Sequence, residues 1–101
     1  MRFNYRGRNG ELFTEVYVNP LTKKVKVINH TDDFIDKAFG NNDDVTYADV
    51  LEFFESRTFP RNRENIDEIL GQMGLSCYDP YRMCLVTKGK MAEDGCWIEF
   101  L

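Results

Sequence analysis

Leu12-Phe13-Thr14-Glu15-Val16-Tyr17-Val18-Asn19 decides the fold. Leu12, Thr14, Val16 and Val18 alternate with Phe13, Glu15, Tyr17 and Asn19, the period of two of a strand with one buried face. Arg8-Asn9-Gly10 precedes it, and Asn-Gly suits the positive φ angles of a tight hairpin turn. Asn19-Pro20 ends the run, and Lys24–Asn29 resumes it with Val25 and Val27 on one face. Arg2–Arg6 supplies the first strand, so the opening thirty residues read as a three-stranded antiparallel meander.

Beyond it the period changes. Thr31-Asp32-Asp33 opens a helix carrying Phe34, Ile35, Ala38 and Phe39, with Gly40 as its stop. Asn41-Asn42-Asp43-Asp44 is a loop. Thr46 and Asp49 form a capping-box pattern ahead of a helix with Tyr47, Val50, Leu51 and Phe54 on one face. Phe59-Pro60 separates it from a helix over 61–73, on which Ile66, Ile69, Leu70 and Met73 recur at helical spacing. Asp79-Pro80 is an N-cap with proline in first position, heading a short helix over 80–87. After the Asp94-Gly95 turn, Cys96-Trp97-Ile98-Glu99-Phe100-Leu101 closes the chain as a strand joining the meander. The expected architecture is α+β: one domain over 1–101, a small antiparallel sheet packed against three or four helices.

Composition agrees. With 101 residues there is room for one domain, and 43% hydrophobic and 14% aromatic residues supply a core. No apolar run reaches the roughly 18 residues of a transmembrane helix, and Met1–Arg6 lacks a signal peptide's apolar centre. Three cysteines without a Cys-x-x-Cys pair point to a reducing, cytoplasmic setting.

Catalytic signals are absent. The one histidine, His30, and Cys77, Cys84 and Cys96 stand at spacings that match no common zinc pattern. Spacing alone leaves open whether the fold brings these four together. The glycines form neither a dinucleotide nor a phosphate loop. Neither enzyme activity, nor a cofactor, nor a metal is expected.

Charge is segregated instead. The net charge is −4, yet residues 31–55 carry eight acids against Lys37 alone, while residues 1–30 carry six bases against two acids. The acidic block, with Asp43, Asp44, Asp49 and Glu52 at its centre, is either a solvated face or a surface that attracts cationic partners. Arg57, Arg61 and Arg63 surround Phe59-Pro60 at a helix junction. They read as ion pairs with helix carboxylates or caps of a helix end, as a protein contact, or as the head of a helix-turn-helix recognition helix. The acidic domain argues against the last, because DNA readers are basic. Trp97 closes the core or, where exposed, anchors a partner.

Leu51-Glu52-Phe53-Phe54-Glu55-Ser56-Arg57-Thr58-Phe59-Pro60-Arg61-Asn62-Arg63 resembles the "FLEER-FPR-R" segment of small, mostly uncharacterised proteins of Firmicutes and their mobile elements. Gly74-Leu75 with Tyr78-Asp79-Pro80 is similar to their "GL..YDP" step. Thr87–Asp94 with Trp97-Ile98 resembles their "T.GRMAED..WI" close, and Asp32-Asp33 with Ala38-Phe39-Gly40 an earlier "D…AFG" element. Lys90 departs from the pattern's arginine, and Thr58 stands where a cysteine is usual. Such proteins are often encoded beside HipA-like kinases, so the resemblance implies an antitoxin-like, regulatory module that binds a bacterial protein and carries no catalytic residues. Two other functions fit the residues: a phage-borne anti-defence protein, such as an anti-CRISPR that inhibits an effector nuclease through the acidic face, and a DNA-binding protein using Arg61 and Arg63.

Overall fold

A computed structural model describes all 101 residues. Strands β1 (Arg2–Arg6), β2 (Leu12–Val18) and β3 (Val25–Asn29) are followed by helices α1 (Tyr47–Ser56), α2 (Ile66–Gln72) and α3 (Pro80–Thr87), then strand β4 (Trp97–Phe100). The sheet runs β3-β2-β1-β4, antiparallel throughout, so the carboxy-terminal strand pairs with the first. The α+β reading, with its meander, closing strand and three helices, is the observed architecture.

Alternation sorts the sheet's two faces. Phe3, Val16 and Ile98 are wholly buried, and Tyr5, Val18 and Thr14 join them on the helix side. Arg2, Arg6, Glu15, Tyr17, Lys26, Trp97 and Glu99 occupy the alternate positions, on the face away from the helices. Helix α1 lies over the buried face and supplies Val50, Phe53 and Phe54. Phe54 meets Phe3 at 5.0 Å, Tyr81 at 5.5 Å and Phe100 at 5.9 Å between ring centroids, while Phe53 sets its edge on Tyr5 at 5.4 Å. Offset and edge-on rings of this kind add directional attraction to the burial of large apolar areas. The capping box forms as its spacing suggests: Thr46 Oγ1 accepts from the Asp49 amide, and Asp49 Oδ2 accepts from the Thr46 amide.

Three expectations are corrected. Residues 31–40 form turns, with Phe34 and Ile35 exposed. Short polar side chains compete for the amides a helix would use: Thr31 Oγ1 accepts from Asp33 N–H and Asp33 Oδ1 from Ile35 N–H. Only Ala38 and Phe39 reach the core, the Ala38 amide donating to Thr14 Oγ1. The helix expected over 61–73 begins at Ile66, because Asn65 adopts a left-handed φ of 56° that breaks the helical path from Pro60. On α1, Leu51 is exposed, and the buried stripe runs through Phe53 instead.

Candidate functional site

The three arginines around Phe59-Pro60 part company in the structure. Arg57 closes the carboxy-terminal end of α1, where the helix turns back over the sheet, and only 6% of it is exposed. All five of its N–H groups are engaged. Nε donates to Gly89 O, Nη1 to Tyr5 Oη and Asp94 Oδ2, and Nη2 to Asp94 Oδ1 and Cys96 O. The bidentate pair with Asp94 closes at 2.6 and 3.1 Å. Burial opposes the Arg57 charge, but the Asp94 hydrogen bonds and nearby negative charge outweigh it and leave its pKa above the ordinary value. The same hydrogen bonds hold the Asp94 carboxyl below its usual 3.8, and burial raises the Tyr5 hydroxyl well above 10.0. Arg57 is therefore an internal clamp between α1, β1 and the loop before β4. It is not available to a partner, and its carboxylate comes from a loop rather than from a helix.

Arg61 and Arg63 stay outside. Neither lies within ion-pair distance of a carboxylate. Each rests instead on an aromatic ring, Arg61 with Cζ 4.4 Å from the Tyr78 centroid and Arg63 with Cζ 4.7 Å from that of Phe59. The Tyr78 hydroxyl donates to Phe59 O at 2.7 Å, so one hydrogen bond fixes both stacks relative to each other. Two clefts flank this ridge. One, of about 400 Å3, has Arg63 and Lys90 near a floor of Phe59, Pro60 and Met91. The other, of about 340 Å3, lies between Arg61, Tyr78, Tyr81 and Leu51. Such a surface offers cationic donors, preset by stacking, beside apolar area.

The helix-turn-helix geometry is not formed. Arg61, Asn62 and Arg63 lie in turns ahead of α2, which has seven residues, and the helix packed on α1 is α3. The four acids are split. Asp49 and Glu52 border one cleft with Phe39 and Phe53, and Asp43 and Asp44 border another with Val25 and Val27; Asn42 lies between. Asp49 is already committed to the cap of α1, and its hydrogen bonds from the Thr46 amide, Asn42 and Thr46 keep its pKa low. Trp97 is half-buried on the face away from the helices, in register with Arg6.

His30 and the cysteines do not converge. His30 Nε2 meets Glu15 Oε2 at 2.5 Å. Cys84 is buried, donates to Phe54 O, and burial pushes its thiol up to about 12, the opposite of what a nucleophile needs. Cys77 is exposed, Cys96 is half-buried, and no group of three His, Cys, Asp or Glu side chains could hold a metal ion. No helix is long and apolar enough to cross a membrane. No family model, curated protein or solved structure matches this chain.

Two features escaped the sequence reading. The Arg57–Asp94 clamp spans 37 positions, and its only local signal is the Asp94-Gly95 turn that presents the carboxylate. The pairing of Arg61 and Arg63 with Tyr78 and Phe59 has no periodicity to announce it.

Proposed function

We propose that the chain is a non-enzymatic binding module that holds and regulates a bacterial enzyme, engaging it through Arg61 and Arg63. The observation carrying this reading is that both guanidinium groups are exposed, form no ion pair and are laid on aromatic rings beside clefts that mix apolar side chains with Glu93 in one and Glu55 and Asp79 in the other. Arginine and aromatic side chains dominate the energetics of protein interfaces, and a side chain already held in place loses less entropy on docking. The contact on the partner is an acidic patch with apolar groups alongside. The sequence resemblance makes a HipA-like kinase the first partner to try.

The test is co-expression of the tagged protein with a HipA-like kinase from a Firmicute, reading co-purification and kinase activity. Arg61→Glu/Arg63→Glu leaves the protein folded, with the loss of two exposed cation–π contacts costing about 1–2 kcal/mol of stability, and weakens capture by more than about 100-fold, since interface anchors are worth roughly 2 kcal/mol or more each. Capture and activity that ignore the double variant would defeat the assignment of this surface. Retention of duplex DNA at low salt, lost in the same variant, would replace the protein partner with nucleic acid.

A further inference from the structure

The sheet has two edges, and one of them is partly engaged by the rest of the chain. At β4 the Ile98 amide, which points away from β1, donates to Lys88 O at 2.7 Å, so the loop after α3 engages one outward main-chain group of that edge. At β3 nothing does. His30 N–H bonds Phe13 O, and Asn19 N–H bonds Lys24 O. Those two bonds set the antiparallel alternation, so Ile28 and Lys26 bond β2 while Val25, Val27 and Asn29 turn their main chain outward. No hydrogen bond outside the strand pairs uses those outward groups.

Beside this edge lies a cleft of about 210 Å3, bordered by Val25, Val27, Asn29, Asp43, Asp44 and Val45. Asp43 and Asp44 thus stand on the helix side of the open edge, and Lys26 stands on the other side of the sheet. We propose that β3 receives an extended segment of another protein by strand addition, with Lys or Arg at the alternate positions that face Asp43 and Asp44. Main-chain bonds to Val25, Val27 and Asn29 give affinity, and the two carboxylates choose the face that carries the basic residues. A second copy of this chain is a poorer occupant. Two-fold pairing of β3 with itself puts both copies' Asp43 and Asp44 on the same side of one junction, where four carboxylates repel. This surface is separate from the arginine ridge and does not depend on its role.

The test uses the whole protein and three capped synthetic peptides. One alternates Lys and Val, one alternates Glu and Val, and one is the Lys/Val peptide N-methylated at every second amide to remove the bonds of one edge. Amide hydrogen exchange is followed at Val25, Val27 and Asn29. The Lys/Val peptide slows exchange at these three amides, and the Glu/Val and N-methylated peptides do not. Asp43→Lys/Asp44→Lys weakens Lys/Val binding about two- to thirtyfold, the scale of two exposed charge pairs, and allows Glu/Val to bind. No slowing by the Lys/Val peptide at millimolar concentration, or equal slowing by the N-methylated one, overturns the proposal. Slowing that depends on protein concentration without peptide assigns the edge to a second copy and overturns the choice of occupant.

Discussion

Removing the Arg57 side chain tests the clamp that holds α1 to the sheet and to the loop before β4. In wild type the guanidinium is 6% exposed and fully bonded, whereas the Asp94 side chain is 41% exposed. The two partners therefore respond differently to losing each other. Arg57→Ala strands the Gly89 and Cys96 carbonyls and deletes a packed stem, while Asp94 rehydrates and no buried charge is left, so the cost is that of unpaired carbonyls and lost packing, about 3 kcal/mol. Asp94→Ala leaves the guanidinium bonded to Gly89 O, Cys96 O and Tyr5 Oη, with water entering where the carboxylate was, and costs about 2 kcal/mol. For a domain of this size these are drops in Tm of roughly 12–24 °C and 8–16 °C. Thermal unfolding followed by circular dichroism, with urea melts to confirm the free energies, measures both. A fall under about 4 °C for Arg57→Ala would refute the clamp, and equal falls would refute the unequal access of water. Acid adds a sign. The folded Asp94 carboxyl titrates below the 3.8 expected of the unfolded chain, so its stabilisation is complete above that pH and fades as pH falls through the folded value. The gap between wild type and Asp94→Asn consequently closes below pH 3.8 and stays open at neutral pH.

Two further substitutions probe the frame around the site. Thr46→Ala removes the acceptor of the Asp49 amide at the start of α1 and lowers unfolding free energy by about 1 kcal/mol, seen as a shifted urea midpoint with an unchanged slope. Gly89→Ala puts a Cβ 2.6 Å from Ile98 Cδ1 at a φ of +62°, so it destabilises by more than about 1 kcal/mol, and its urea midpoint falls further than that of Thr46→Ala.

What the sequence disclosed depended on the range of the interactions. The meander and β4 were legible because strand alternation is local and the core is apolar: Thr14, Val16 and Val18 point inward as their spacing requires. Helices α1 and α3 were legible because Thr46, Asp49, Asp79 and Pro80 cap them through neighbours in sequence. The segment from Thr31 to Gly40 misled because its apolar spacing fits a helix, while Thr31 and Asp33 take the amides first. The site was half legible. Arg57, Arg61 and Arg63 stood out as a cluster, but nothing local separates an arginine facing Asp94 across 37 residues from one facing solvent.

The two kinds of arginine are nonetheless one construction. Arg57 ends α1 two residues before Phe59, whose ring carries Arg63. Tyr78, just ahead of α3, ties Phe59 O at 2.7 Å and carries Arg61, so the ridge is gripped from both helices that pack on each other. The proposed contact surface is thus held at both ends, by the buried Arg57 clamp before Phe59 and by the Tyr78 hydrogen bond behind it. Weakening Arg57 should therefore loosen the display of Arg61 and Arg63 without touching either, and binding would fall along with stability. Arg61→Glu/Arg63→Glu, in contrast, removes binding at a smaller cost to the melting temperature than Arg57→Ala. That separation distinguishes an interface supported by the fold from arginines that merely decorate it.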